Sequence, residues 1–327
     1  MYSSDLNTIS YLDKLRLDEG IYIFRETLRD LAENDSEKAA NLINEKNLRF
    51  SSLFLLKQEI EKNNLYSSLS ILRQTALKVT EDILGRTTDN IEQLSNKRTT
   101  DIHSALIWIV QTGYYDDGLS DEFDEILDLA CSLLIKTYRD KAVLPFIINM
   151  ISTRYKNGRF IYDLVWVFFE LRDRESLILI ANLLNSAHQK DVELACKLLN
   201  FIPRINTRSS TNYQCFINWF NENYNFIYYT GESFNQTYNP KPYAVNIEAK
   251  YLCKAVPVDS EKRLLALTKA EHKLIDRFKK LSSNDKILLS SYSYFLYRQN
   301  PQLWKVWLHH PVTEQINIAS SMSGGIL

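Results

Sequence analysis

The chain contains little glycine and little proline. Its 327 residues include 8 glycines and 7 prolines, together about 5% of the chain, against about 12% in an average globular protein. β-Sandwiches and glycine-rich nucleotide-binding sheets depend on these residues, because many of their turns need positive or fixed φ angles. The shortage argues against both classes and favours an all-α fold.

The chain also has few cysteines and almost no net charge. The four cysteines, Cys131, Cys196, Cys215 and Cys253, include no C-x-x-C pair, so neither a disulfide framework nor a metal site is predicted. The formal net charge is −1, so no long-range field draws the whole molecule to nucleic acid or to an anionic membrane. No apolar run approaches the roughly 20 residues of a membrane span, and the first residues lack a signal-peptide pattern. We expect a cytoplasmic protein with no membrane partner.

Apolar residues recur at helical spacing through the first third of the chain. A typical run is Leu72, Ala76, Val79 and Ile83, and Gly85 stands just past its end. This spacing puts the apolar side chains on one helix face, and glycine commonly ends helices. The polar segment from Gly85 to Arg98 is predicted to be a loop or an early boundary.

Side chains that can cap helices stand ahead of several of these segments. Ser4, Ser36 and Ser51 are predicted N-caps, because a serine oxygen can accept hydrogen bonds from the first free N–H groups of a helix. Thr268 and Glu271 have the spacing of a capping box, which predicts a helix start there.

The middle of the chain resembles itself. Arg139-Asp140-Lys141 returns 33 residues later as Arg172-Asp173-Arg174, and residues 129–134 (LACSLL) return as residues 194–199 (LACKLL). The second displacement is nearly twice the first, which indicates a period of about 33 residues. Each repeat is predicted to be a helix, a short turn and a second helix. Residues 160–171 are predicted to be the second helix of one repeat.

Residues 173–203 resemble a HEAT-type repeat, with apolar positions on a first helix and Asp191 opening a second. The resemblance is clearest over 102–203. It departs from the family in having Pro145 within a first helix and no arginine beside Asp191. The resemblance implies an α-solenoid whose second helices form a concave surface for protein segments. A non-repetitive helical bundle is the alternative.

The composition changes after residue 202. Residues 203–327 contain 15 basic and 9 acidic residues, a balance of +6, which leaves about −7 for residues 1–202. We therefore predict a repeat region over 1–202 and a mainly helical capping module over 203–327. Aromatic and asparagine residues crowd 213–243, where a long ordered loop is predicted from Asn221 to Pro242. Helices are then expected over 243–254, 269–281, 285–298, 302–309 and 312–322.

No signature of an enzyme is present. The chain has no G-x-G-x-x-G, G-x-x-x-x-G-K-[ST], H-E-x-x-H or G-x-S-x-G motif, and so few glycines cannot easily cradle a phosphate. His272 and Asp276 share a helix face at i and i+4, which is an ordinary surface pair. No catalytic residue, cofactor or metal ligand is predicted.

Eight residues are candidates for a binding surface. They are Lys269, Lys273, Arg277 and Lys280, which form a basic stripe on one predicted helix, with Tyr228, Tyr229, Trp304 and Trp307. The basic stripe could meet phosphates, an acidic protein or the acidic half of this chain, and its plain alternative is a solvated helix face. The tyrosines suit a binding loop, and the tryptophans suit either a recognition surface or the core. The tyrosine loop could equally cap the last repeat.

The sequence favours a non-catalytic protein-binding scaffold or adaptor with a protein partner, and the basic stripe suits an acidic one. The alternative comes from a second resemblance, to HEAT-like DNA glycosylases that repair alkylated bases in a basic groove with aromatic and acidic residues. Trp108, Trp166 and Asp163 permit that function. The negative charge of residues 1–202 opposes it, because a DNA-binding groove neutralises phosphates with lysine and arginine.

Overall fold

The computed structural model describes residues 9–85, 100–207, 211–232, 237–258 and 267–323. The chain divides into two compact units, Met1–Leu171 and Arg172–Leu327. This division lies within the predicted repeat region, earlier in the chain than the predicted boundary between residues 202 and 203.

The described part of the first unit contains nine α-helices. They are α1 (Tyr11–Asn34, interrupted at Gly20), α2 (Ser36–Ile43), α3 (Phe50–Leu55), α4 (Lys57–Lys62), α5 (Ile71–Leu84), α6 (Thr100–Gly113), α7 (Asp121–Lys136), α8 (Leu144–Lys156) and α9 (Tyr162–Glu170). Successive helices pack on one another, α5 on α6, α6 on α7 and α8 on α9, and α7 also packs on α9. The outer faces of α7 and α9 therefore lie side by side.

The core of the first unit is built from the apolar stripes that the sequence shows. Ala76, Val79 and Ile83 of α5 are buried, as are Ile126 and Leu134 of α7. A helix buries such a stripe because removing apolar surface from water stabilises the fold by about 25 cal/mol per Å².

Gly113 allows the end of α6 to approach α7 closely. A Cβ atom at this position would lie 2.8 Å from Cδ2 of Leu127 and 3.4 Å from the rings of Phe123 and Phe50. All three of these side chains are fully buried, and the two rings stack with centroids 5.5 Å apart. Glycine is needed because a dense core cannot move aside to admit another methyl group.

The two Arg-Asp segments have the same local structure. Arg139 and Arg172 both lie in the left-handed region, with φ angles of 55° and 57°. The following aspartate, Asp140 or Asp173, accepts a hydrogen bond from the backbone N–H two residues on and caps a short 3-10 helix. An α-helix then begins, α8 in the first unit and α10 (Leu177–Asn182) in the second. The predicted period thus has a conformational counterpart, while the solenoid arrangement stays a prediction.

Several predicted helix ends need correction. Asp35, and not Ser36, caps α2, because its Oδ1 accepts a hydrogen bond from Lys38 N at 3.0 Å. Ser51 is buried inside α3, where its Oγ donates to Asp116 at 2.6 Å. Pro145 lies in the first turn of α8, where its missing N–H costs nothing, so it does not kink the helix. Ser4 and residues 86–98 of the predicted loop lie outside the described residues.

The described part of the second unit contains eight α-helices and two short strands. The helices are α10, α11 (Gln189–Leu198), α12 (Asn212–Asn223), α13 (Ile247–Tyr251), α14 (Lys269–Lys279), α15 (Ser283–Gln299), α16 (Pro301–His309) and α17 (Val312–Ser323). The strands, β1 (Ile227–Tyr229) and β2 (Tyr243–Val245), pair antiparallel with Tyr228 opposite Ala244. The all-α class is confirmed. Among the described residues, the antiparallel pair of β1 and β2, called the ribbon below, is the exception.

The ribbon corrects two predictions. Residues 227–229, expected in a loop, form β1, and residues 243–245, expected to begin a helix, form β2, so the helix starts only at Ile247. Tyr229 and Tyr243 are buried with their rings 5.9 Å apart. Aromatic residues suit paired strands because their side chains pack across the ladder.

Helices α13 to α17 form a separate apolar core in the second unit. Tyr251, Phe278, Leu289 and Trp307 are buried together, and the rings of Tyr251 and Phe278 stack at 4.4 Å. The predicted capping box at the start of α14 is confirmed by reciprocal hydrogen bonds between the threonine and the glutamate three residues on. Among the described helices, none is both long enough and apolar enough to cross a membrane.

Candidate functional site

An open groove of about 870 Å³ runs over the first unit between α7 and α9. Helix α7 contributes Glu125, Asp128 and Ser132 to its lining, and α9 contributes Asp163 and Trp166. These residues recur every three or four positions, so each set lies on a single helix face. The groove exists because α7 and α9 pack side by side with these faces outward.

The groove carries an excess of negative charge. Its lining has six acidic side chains, from Asp121, Asp124, Glu125, Asp128, Asp163 and Glu170. Three basic side chains line it as well, from Lys136, Arg154 and Arg159, which leaves three formal negative charges in excess. Carboxylates gathered around one groove raise the local concentration of cations and repel anions.

Arg154 lines the groove and binds two carboxylates. Its side chain is buried, and its Nε and Nη2 atoms donate to Asp117 Oδ1 at 2.9 and 2.7 Å. Nη1 donates to Asp128 Oδ2 at 2.9 Å. Arginine suits this position because its planar fork can bind one carboxylate through two atoms and a second one beside it. The arginine thereby ties α8 to α7 and to the loop before it.

Arg159 lines the groove and lies close to Gly118. Arg159 contacts the carboxylates of both Asp117 and Asp124. Gly118 has a φ angle of 101°, and a Cβ atom there would lie 2.7 Å from Nη1 of Arg159. Its backbone N–H also donates to Asp124 Oδ1 at 2.7 Å. Glycine suits this position because residues with a side chain rarely adopt this φ angle.

The environment of Asp128 favours a cation nearby. Burial raises the pKa of its carboxyl group, and the neighbouring Asp117 and Asp124 act in the same direction, against the hydrogen bond from Arg154. Asp121 and Asp163 make no hydrogen bond or ion pair with another described residue. A positive group entering the groove would therefore meet carboxylates that the chain leaves without a counterion among the described residues.

The groove also has an aromatic border. The half-buried side chain of Trp166 lines it, and Phe160 stands at its end with 63% of its surface exposed. The flat face of a tryptophan attracts lysine and arginine side chains through its quadrupole. Carboxylates and an aromatic face together form a suitable surface for a basic peptide.

The four residues of the predicted basic stripe are exposed, three of them on α14 and Lys280 at its C-cap. None of Lys269, Lys273, Arg277 and Lys280 forms an ion pair with another described residue. The apolar face of the same helix is in the core, where Ile275 and Phe278 are buried. The stripe therefore stands free on the described surface of the second unit.

The predicted aromatic residues are mostly interior. Trp307 is 2% exposed and packs against Tyr292, which agrees with the core role left open for it. Trp304 is half-buried and donates from Nε1 to Ser293 Oγ at 2.8 Å. Packing accounts for both tryptophans.

Tyr228 and Tyr229, the two tyrosines predicted for a binding surface, lie next to each other in β1. Tyr229 is 6% exposed and lies under Arg172, whose guanidinium is 5.1 Å from the ring centroid. Tyr228 is half-buried, and burial raises the pKa of its hydroxyl group. Tyr229 therefore offers almost no surface to a partner, and the predicted binding loop is reduced to Tyr228 and to Tyr238, which is fully exposed.

Only two of the three residues named for a glycosylase-like site lie together. Trp166 and Asp163 both line the acidic groove. Trp108 instead packs edge-on against Phe50 and lies beneath Arg73. The segment of α7 that begins the groove, Asp121 to Asp128, holds five acidic residues among eight, which is the signal that sequence analysis passed over.

The cysteines are free thiols, and Cys131 and Cys196 are buried. Burial raises the pKa of both thiols, which keeps them in the unreactive protonated form. Over the described residues, no three histidine, cysteine, aspartate or glutamate side chains are grouped to hold a metal ion.

Comparisons of the chain with protein-family models, with curated proteins and with solved structures find no match in any of the three.

Proposed function

We propose that the chain is a non-catalytic protein-binding scaffold of HEAT-like repeats, and that the acidic groove between α7 and α9 holds a basic segment of a partner protein. The observation that carries this proposal is the excess of three negative charges in a groove that Trp166 also lines. The matching Arg-Asp segments at Arg139 and Arg172 support the repeat architecture.

Charge and shape favour an extended basic peptide as the ligand. Lysine and arginine side chains can reach Asp121 and Asp163 while their aliphatic stems lie along Leu129 and Val167, which also line the groove. Long basic side chains combine an apolar stem with a charged end, so they match a surface of this kind. The partner expected at this groove is thus basic.

A glycosylase-like function is the second candidate, because Trp166 and Asp163 do share the groove. The negative charge of the groove argues against this function. Phosphates would meet six carboxylates, and two of the three basic side chains, Arg154 and Arg159, already bind aspartates. Nucleic acid binding requires free lysine and arginine along the backbone.

Replacing Asp121 and Asp163 together with asparagine is expected to weaken binding of a basic peptide by about tenfold. Each exposed charge contributes up to about 1 kcal/mol, and tenfold corresponds to about 1.4 kcal/mol. The probe is a fluorescein-labelled peptide of alternating lysine and glycine, titrated at several salt concentrations. Folding should be unaffected, because both side chains are exposed.

The matched control replaces Asp18 with asparagine and Glu19 with glutamine, since both are exposed on α1 and the change in net charge is the same. Equal loss of affinity in the two variants would mean that only net charge matters. That result would refute the groove as the binding site of the peptide. A duplex oligonucleotide that binds the parent protein more tightly than the peptide would favour the glycosylase-like alternative.

We also propose that the basic stripe on α14 binds an acidic partner. Exchanging Lys273 and Arg277 for glutamate should weaken binding of a peptide of alternating glutamate and glycine and reduce its salt dependence, with little change in melting temperature. The control variant exchanges the exposed Lys241 and Lys305 for glutamate. Unchanged affinity in the stripe variant would remove α14 from the binding surface.

A further inference from the structure

A second cavity, a half-open cleft of about 590 Å³, lies along α15 in the second unit. Its lining follows one face of that helix, including Asn284, Leu288, Ser291, Phe295 and Arg298, which recur at intervals of three and four. From the first to the last of these residues the helix rises about 21 Å. The cleft is therefore long and narrow, and its volume is in the range of pockets that hold small molecules, about 300–1,000 Å³.

The walls of the cleft are largely apolar. Ile287, Leu288, Tyr292, Tyr294 and Phe295 all line it. Ile287 is 58% exposed and Phe295 is 39% exposed, although the opposite face of α15 is buried in the core. Apolar side chains exposed in a concave surface favour a ligand with an apolar body, because binding removes them from water.

One of the two charged groups in the lining is already neutralised. Glu222 accepts a hydrogen bond from Nζ of the buried Lys250 at 2.5 Å. The same Nζ also donates to Asn223 Oδ1 at 2.8 Å and to Ser291 Oγ at 3.4 Å. Three acceptors thus surround the ammonium group, and the carboxylate is held at mid-length of α15.

The other charged group in the lining, Arg298, is free to bind a ligand. It is exposed in the last turn of α15 and makes no ion pair with another described residue. Its guanidinium lies 5.9 Å from the ring centroid of Tyr294, which also lines the cleft. Ser291 and Arg298 are seven residues apart, about 10 Å along the helix. The arginine and the neutralised glutamate therefore stand at different points of the cleft.

We propose that this cleft binds an amphipathic carboxylate such as a fatty acid, with the alkyl chain along α15 and the carboxylate on Arg298. An extended alkyl chain rises about 1.25 Å per carbon, given C–C bonds of about 1.5 Å, so a chain of twelve carbons fits within the length of the cleft. The planar guanidinium matches a carboxylate with two hydrogen bonds. This site is independent of the acidic groove, since it belongs to the second unit and takes a small anion.

The test is calorimetric titration of the full chain with dodecanoate below its micellar concentration. We expect one molecule bound per chain. Dodecan-1-ol and dodecyltrimethylammonium, which share the alkyl chain but lack the carboxylate, should bind at least tenfold more weakly.

Two variants locate the ligand. Arg298→Gln should weaken dodecanoate binding at least tenfold and leave the weak binding of the alcohol unchanged. Ile287→Asp should weaken both ligands. Lys305→Gln is the matched control, because Lys305 is an exposed cation on α16 outside the cleft. All three positions are exposed, so the melting temperature of the free protein should not change, and this is measured for each variant.

The proposal is overturned if dodecanoate shows no saturable binding, if the alcohol binds equally well, or if Arg298→Gln and Lys305→Gln have the same effect. None of these results bears on the acidic groove, which is tested with different probes and different residues.

Discussion

Replacing Arg154 with methionine is expected to lower the free energy of unfolding of the first unit by about 3–5 kcal/mol. The substitution removes the bidentate partner of Asp117, whose side chain is 2% exposed. Among the described residues, it leaves that carboxylate only the 3.2 Å contact with Arg159. It also removes the arginine that donates to Asp128. A buried charge that has lost its main partner costs far more than the ion pair itself contributes to stability. Chemical denaturation followed by circular dichroism measures the change.

A double variant tests this explanation. Adding Asp117→Asn to Arg154→Met removes the negative charge of the buried Asp117 side chain. We therefore expect the double variant to recover a large part of the lost stability. Lys136→Met is the control for loss of a basic side chain, because Lys136 is exposed on the groove and should change stability by less than about 0.5 kcal/mol. If the double variant is no more stable than Arg154→Met alone, the cost comes from packing and not from charge.

Replacing Asp13 with alanine should cost a similar amount, about 3–5 kcal/mol. Asp13 is fully buried and accepts hydrogen bonds from Ser10 Oγ at 2.5 Å, from Ser52 Oγ at 2.6 Å and from Arg49 N at 3.0 Å. Hydrogen bonds to a charged group are worth about 1.5–3 kcal/mol each, and donors left unpaired in the core add a penalty.

The matched control for Asp13→Ala is Asp18→Ala, since Asp18 is exposed on the same helix and should be nearly neutral. Denaturant midpoints of the two variants give the comparison. A loss below about 1 kcal/mol at Asp13 would mean that its hydrogen bonds to Ser10, Ser52 and Arg49 contribute little to stability.

Helix positions were predictable from the sequence because they depend on local spacing. The run that ends at Ile83 forms α5, and the Thr268 capping box begins α14. Ser51 was misjudged for the opposite reason. Its partner Asp116 is 65 residues away, so no local pattern distinguishes a buried network from a helix cap.

The acidic groove was not predictable for two physical reasons. Acidic residues such as Asp121 commonly stand in the first turn of a helix, where they interact favourably with its dipole, so the cluster in α7 looked ordinary. The groove also needs α9 beside α7, a tertiary contact that brings Asp163 to the same surface. The ribbon at Tyr229 was missed because the preference of a segment for strand depends on its tertiary surroundings more than its preference for helix does.

Cys131 provides a built-in reporter of motion beneath the groove. It is the single cysteine of the first unit, it is fully buried, and it lies one turn of α7 from Asp128 with its thiol pKa raised by burial. A thiol-reactive reagent attacks the thiolate, so labelling at this position must wait until α7 separates from its neighbours. The rate of modification in the native protein therefore measures the free energy of that local opening, without any engineered probe.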